Sequence, residues 1–169
     1  SILPLDVSNQ TSIDSAGQQV AQIVDKIDIL INNAAINPKG IQSFEAITPE
    51  TMLDSFNINA VGALMVVKSL VDLVKRGNNP KIIMVSTQMG SMDYKRHGGG
   101  YAYSASKAAM NMITRGLAAD LGGDGIITIT LHPGWVQTDM GGSSASLTSE
   151  ESASSILKLI DRITPKDNG

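Results

Sequence analysis

Apolar positions along this chain recur with two periods. Short β-branched runs alternate with longer stretches in which apolar residues return every three or four positions, the pattern of a parallel sheet covered by helices. Residues 2–7 predict a first strand that ends at Asp6 and Val7. Ile13, Ala16, Val20 and Ile23 then share one helical face. Residues 27–31 predict a second strand, which runs straight into Asn32, Asn33, Ala34 and Ala35. Pro38 and Gly40 make the next stretch a loop.

Thr48 followed by Pro49 is a helix start, a hydroxyl cap and then a proline whose missing N–H costs nothing. Met52, Phe56, Asn59, Leu64, Val67, Leu70, Val71 and Val74 sustain a long helix, which Lys75, Arg76 and Gly77 close. Residues 81–85 are a third strand, apolar enough to be covered on both faces. A polar loop over residues 88–100 leads into a helix over 101–121, ended by Gly122 and Gly123. The fourth strand, 126–131, stops at His132, Pro133 and Gly134. Thr148, Ser149, Glu150 and Glu151 have capping-box spacing and announce a last helix, with Pro165 just past its end. No repeat or linker interrupts the order, so residues 1–169 read as one α/β domain.

Composition narrows the classes. Hydrophobic residues make up 42% and charged residues 17%, which excludes a disordered chain. The net charge of −3 is spread along the chain, so no nucleic-acid partner is expected, and no basic helix points to a membrane surface. The longest apolar stretches read as shorter than the roughly 20 residues of a membrane span. Cysteine is absent, which removes disulfides and thiolate chemistry and fits a reducing, cytoplasmic compartment.

In sheets of this kind ligands bind beyond the carboxyl ends of the strands. Asp6, Asn32 with Asn33, Ser86 with Thr87, and His132 with Pro133 and Gly134 all fall at such ends. The sharpest feature is Tyr103-Ser104-Ala105-Ser106-Lys107. Residues four apart share a helix face, and an ammonium near a phenol favours the phenolate and lowers its pKa. A tyrosine tuned in this way can exchange a proton with a carbonyl or alcohol oxygen.

The ordered set Asn32-Asn33-Ala34-Ala35, Val85-Ser86-Thr87-Gln88-Met89-Gly90, Tyr103-x-x-x-Lys107, Pro133-Gly134 and Thr138 resembles the short-chain dehydrogenase/reductase family over nearly the whole chain. The run from Leu131 to Gly142, with Leu147-Thr148-Ser149-Glu150-Glu151-Ser152, is similar to the subgroup of C-factor and Sniffer-like carbonyl reductases. The resemblance implies a Rossmann-like, doubly wound parallel sheet and an NAD(P)-dependent oxidoreductase acting on a small carbonyl or alcohol, with NADP favoured over NAD. It makes Tyr103 the general acid and base, and Lys107 the holder of the nicotinamide ribose that also depresses the tyrosine pKa. Asn59 would help hold a water of a proton relay, with a capped kink beside Gly62 as the lesser alternative for a mid-helix asparagine. Asp6 and Val7 would face the adenine, and Asn33, Ala34 and Ala35 would line the coenzyme. Pro133, Gly134, Val136 and Thr138 would frame the nicotinamide. A homodimer or homotetramer is expected, since the two long helices are apolar around much of their circumference.

The family's substrate-orienting serine falls on Thr87, with Ser91 and Ser86 as rival hydroxyls. His132 reads as a framework residue. Residues 141–147 are small and polar and read as a mobile lid. The family's glycine-rich phosphate turn is missing, and the domain reads as incomplete at both ends, so that the working protein is expected to hold further N-terminal strands. A nucleotide-binding regulatory or signalling protein without turnover, or an inactive fragment, are the competing readings.

Overall fold

The computed structural model describes residues 1–169. Three parallel strands form its sheet in the order β1 (Ile29–Asn32), β2 (Lys81–Val85), β3 (Ile127–Leu131). The register sets Ile31 opposite Ile83 and Ile83 opposite Ile129. The fold is the expected Rossmann-like α/β arrangement, with helices on both faces of the sheet.

β2 is buried at every position, and its alternation divides the core in two. Ile82 and Met84 pack with Ala63, Val67, Val74 and Met110 on one face. Ile83 and Val85 pack with Ile129, Leu131, Ile160 and Ile163 on the other. α3 (Ala63–Lys75) and α4 (Tyr101–Leu121) supply the first face, and α5 (Ser149–Arg162) supplies the second. α1 (Gln10–Ile23) packs against α3. The cover over β1 is thinner: Ile29 and Ile31 lie on the α5 side of the sheet yet are exposed.

Local chemistry places the helix ends as expected. The Thr48 hydroxyl accepts the Thr51 N–H at the start of α2 (Pro49–Phe56). Thr148 and Glu151 complete a reciprocal capping box at α5.

Four expectations need correction. Residues 2–7 are not a strand. A strand needs a neighbour for its backbone groups, and none of these residues enters a ladder. Instead Leu3 and Leu5 line an apolar groove with Ile13, Val66 and Leu70, and the Asn9 side chain then caps α1 by accepting the Ser12 N–H.

Second, an apolar stretch of membrane-spanning length does exist. α2, a π-helical turn at Asn57–Gly62 and α3 form one helix, Pro49–Lys75, of 27 residues, long and apolar enough to cross a bilayer. Here its apolar residues Ala60, Ala63, Val67 and Val74 belong to the core. Third, the strand boundaries shift by one or two residues, because Ile27 and Ile126 bond outside the ladders, to Leu73 and Leu121 carbonyls.

Fourth, residues 141–147 are not a loose lid. The Leu147 N–H donates to the Trp135 carbonyl and the Gln137 N–H to the Leu147 carbonyl, and Ala145 is buried. The Gln137 amide donates to the Ala145 carbonyl and the Trp135 indole to that of Gly141.

Gly62 is where the N-terminal segment meets the long helix. A β-carbon there would lie 2.2 Å from the Val7 carbonyl oxygen, a backbone atom that cannot swing aside. Gly62→Ala is expected to destabilise the protein by about 1–3 kcal/mol, the usual cost of overpacking. Urea denaturation measures it, and an unchanged midpoint would mean that residues 6–8 do not rest on this helix.

Candidate active site

α4 turns several of its polar residues to the buried face. Tyr103, Ser106, Lys107, Met110 and Thr114 recur at helical spacing and are all buried. Small neighbours, Ala102, Ser104 and Ala105, let the helix lie close to the strand ends. Gly90 brings the turn after β2 against the same place, since a β-carbon there would sit 3.0 Å from the Lys107 backbone carbon.

Lys107 is only 3% exposed. Its ammonium donates to the carbonyl oxygen of Val85, the last residue of β2, at 2.7 Å. No acidic side chain pairs with it: the three ion pairs of the protein are Lys26–Asp28, Lys75–Asp124 and Arg96–Asp93. Burial penalises the charged form and pulls the lysine down to about 8.

Tyr103 behaves differently from expectation. Burial pushes its phenol up, and no depression by Lys107 is present. The phenol lies on the buried face of α4, and desolvation there is the cause of the shift. The Tyr103 hydroxyl makes no protein hydrogen bond. The sealed, unpartnered side-chain oxygens are those of Ser55, Ser104 and Thr128, so the phenol oxygen reaches solvent.

Asn59 sits in the π-helical turn Asn57–Gly62 and is fully buried. Its carbonyl oxygen accepts the Ile36 N–H at 2.8 Å, and its amide nitrogen donates to the Ile36 carbonyl and to Ser106 Oγ, each at 2.9 Å. Ser106 in turn donates to the Tyr103 carbonyl. One side chain therefore ties the loop after β1 to the turn of α4 between Tyr103 and Lys107. The widened turn and the asparagine belong together, because a π-turn displaces backbone groups and such turns recur at functional sites.

Among the hydroxyls after β2, Ser86 is buried and donates to Asn111 Oδ1 at 2.6 Å. Thr87 is half-buried and caps the short turn Gln88–Gly90 by accepting the Met89 N–H, which leaves its own proton free to donate. Ser91 accepts the Tyr94 N–H, farther along the loop.

At the end of β1, Asn32 turns inward toward Ala63 and Met84. Asn33 and Ala34 are exposed and Ala35 is half-buried. After β3, Gly134 adopts φ 86°, and a β-carbon there would meet the Leu147 side chain at 2.4 Å. Pro133 is held by Ser152 on its carbonyl, Val136 bridges to Leu147, and the Thr138 hydroxyl accepts the Gly141 N–H. Asp6 is exposed; the Ser8 hydroxyl and backbone N–H hold its carboxyl below the usual range. Val7 rests on Gly62, in the turn that carries Asn59. His132 is exposed. Asn59 reaches Tyr103 through Ser106, Lys107 is held on the Val85 carbonyl, and Thr87 lies in the turn that Gly90 brings against Lys107. Val7 rests on the Asn59 turn at Gly62, while no side-chain hydrogen bond joins Asp6 or residues 133–138 to these groups.

Two residues escaped sequence reasoning. Ser106 lay inside the Tyr103–Lys107 run and could have been found from its place one residue before the lysine. Gln42, whose side chain accepts the Tyr103 N–H at 2.9 Å, had no local signal at all.

Known proteins with this arrangement identify the chain. The family model described as short chain dehydrogenase matches residues 1–148. The chain belongs to the short-chain dehydrogenase family. Among curated relatives, this short-chain dehydrogenase is 38% identical over 143 residues to C-signal of Myxococcus xanthus, covering 85% of this chain and 86% of that one. It is 36% identical to the short-chain dehydrogenase srdF of Neurospora crassa, over 99% of this chain and 71% of the relative. Among solved structures, the carbonyl reductase Sniffer of D. melanogaster superposes with a TM-score of 0.93 at 34% identity, covering 99% of this chain and 72% of that one. An NADPH-bound carbonyl reductase from chicken fatty liver gives 0.92 at 30% identity, with the same coverage.

The buried ammonium makes a stability prediction. Because the Lys107 pKa is lower folded than unfolded, the folded state binds fewer protons between about pH 8 and 10.5, and stability rises with pH there. Lys107→Met should therefore stabilise the short-chain dehydrogenase below pH 8. The gain is on the order of 3 kcal/mol, less roughly 1 kcal/mol for the lost bond to Val85. That gain should vanish by about pH 10.5. Denaturation of both proteins at pH 7 and pH 10.5 checks this, and a variant less stable at pH 7 would refute it.

Proposed function

We propose that this protein is an NAD(P)-dependent carbonyl reductase in which Tyr103 passes a proton to the substrate oxygen. The observation that supports it best is the pairing on one turn of α4. A buried ammonium spends one of its three N–H donors on Val85, next to a phenol whose oxygen is unpartnered and open to solvent.

The residues suit the nicotinamide-ribose half of a coenzyme. Two donors remain on Lys107 for vicinal hydroxyls, and Asn33, Ala34 and Ala35 allow close approach at the end of β1. Gly134 and Thr138, with Pro133 and Val136, would frame the carboxamide, and Asp6 with Val7 would meet the adenine side. Residues 1–169 contain no glycine-rich phosphate turn after a strand, so these residues bear only on the parts named. NADP is favoured over NAD: a carbonyl reductase with bound NADPH and a Burkholderia multivorans short-chain dehydrogenase/reductase with bound NADP are both structural neighbours.

The coenzyme, when bound, supplies the hydride. The chain's part is proton transfer and placement. Burial keeps the Tyr103 phenol protonated at neutral pH, which is the form needed to donate to a carbonyl oxygen during reduction. Thr87 would donate its free hydroxyl proton to the same oxygen and orient it. The Lys107 charge would hold the ribose, and Asn59 would keep the loop after β1 and the turn of Ser106 in register so that a water can relay the proton. A small carbonyl or alcohol is the substrate class, in a cytoplasmic homo-oligomer with no nucleic-acid or membrane partner.

Tyr103→Phe should lower carbonyl reduction at least about a hundredfold while coenzyme binding and melting temperature stay near wild type, since the hydroxyl holds nothing in the fold. Unchanged turnover would remove Tyr103 from the chemistry, and saturable coenzyme binding without turnover by the wild type would favour a regulatory protein. Coenzyme affinity of the free protein should fall as pH rises through about 8, when Lys107 loses its charge. Fluorescence titration from pH 6 to 10 measures it, and a flat profile would exclude Lys107 as the ribose holder.

A further inference from the structure

α4 begins without a cap of its own. Its first flanking residue, Gly100, is left-handed at φ 61° and ψ 27° and has no side chain to accept an N–H from the opening turn. The first turn of a helix leaves such donors unserved, and buried ones are costly. The Ser104 N–H finds the Gly100 carbonyl. The Tyr103 N–H is the donor that a capping side chain would ordinarily serve, and it is served from another part of the chain. Gln42 Oε1 accepts it at 2.9 Å. A backbone N–H can only donate, so the contact fixes which way the glutamine amide points.

The other end of that amide is occupied. Gln42 Nε2 donates to Asn37 Oδ1 at 2.5 Å and to the Pro38 carbonyl at 3.0 Å. One residue earlier, Ile36 is clamped on both backbone groups by Asn59. Lys39 reaches the other way and donates to the Asp139 carbonyl in the loop after β3, at 2.5 Å. Residues 36–42 thus form a strap with three anchorages: the π-turn at Asn59, the first turn of α4, and the loop carrying Thr138.

We propose that Gln42 is a positioning residue: it caps α4 in trans and sets the first turn of the helix, and with it the Tyr103 phenol, against the substrate side of the site. This rests on the reading of Tyr103 as the proton donor. The glutamine touches the Tyr103 backbone, not the reacting atoms, and acts through where the ring is held. Because the strap also carries the Asn59 and Asp139 contacts, Tyr103 is aligned with both walls of the cleft through one side chain. A displacement of a reacting group by about 1 Å is enough to cost two orders of magnitude in rate.

Two variants separate positioning from bulk. Gln42→Met keeps the length and removes the acceptor; Gln42→Glu keeps an oxygen acceptor at an electropositive helix start and loses the donors to Asn37 and Pro38. Amide exchange followed by NMR on the coenzyme-free protein reads the cap itself. In Gln42→Met the Tyr103 N–H should exchange about tenfold faster while Met110 and Thr114 are unchanged, and Gln42→Glu should bring Tyr103 back to within about threefold of wild type. Single-turnover reduction at saturating NADPH should follow the same order, with a loss of about tenfold in Gln42→Met and coenzyme affinity within about twofold. Unchanged Tyr103 exchange, or faster exchange along the whole helix, would overturn the cap. Faster exchange at Tyr103 with an unchanged single-turnover rate would overturn the positioning role. If Tyr103→Phe itself reduced carbonyls normally, the functional reading would fail while the exchange data still reported on the cap, so the two failures are told apart.

Discussion

The bond between the Lys107 ammonium and the Val85 carbonyl is the interaction on which the rest of the site depends. It joins the last residue of the most buried strand to the buried face of α4, at 2.7 Å. A charge in that place has no acidic partner and is penalised by burial. A protein selected only for stability would fill the space with methionine or leucine. The fold instead keeps the ammonium on the Val85 carbonyl and brings the turn after β2 close to the lysine backbone at Gly90. Such destabilising devices are tolerated where the chemistry needs them.

From that bond the geometry propagates in two directions. Toward the sheet, β2 hydrogen-bonds on both edges, so the Val85 carbonyl cannot drift relative to β1 and β3. Along α4, Ser106 lies next to Lys107 and passes the Asn59 contact to Tyr103. Asn59 can reach only because its own helix widens into a π-turn at Asn57–Gly62. A regular helix would rotate every later residue of α3 by a fraction of a turn, and Val67 and Val74 would face differently against Ile82 and Met84. The asparagine, the π-turn and the packing of the long helix are one solution rather than three.

Much of this was legible in the residues, for identifiable reasons. Helix starts at Thr48 and Thr148 are local, capped by side chains three residues away at most, so sequence alone finds them. The Tyr103–Lys107 spacing is local too. Residues 2–7 misled because a β-branched, apolar run has strand character only when a partner offers backbone groups, and partners are set elsewhere in the chain. The direction of the Tyr103 shift misled for a related reason. Proximity of an ammonium was readable, but the depth to which packing buries the phenol, which raises its pKa, was not. The membrane-length helix was hidden by Asn57 and Asn59, which break the apolar run yet sit inside the continuous helix Pro49–Lys75.

Gln42 marks the limit of reading chemistry from a one-dimensional pattern. It stands 61 positions from Tyr103, in a loop whose composition encodes neither helix nor strand. Its meaning comes from a deficiency at the other end of the contact: Gly100 supplies the left-handed turn that α4 needs but brings no acceptor. The glycine can be seen in sequence, and so could the missing cap, but not the residue that makes it good. Where a helix carrying a reactive side chain starts on a glycine, the search for a positioning residue therefore belongs among the loops at the strand ends, since they alone approach that first turn.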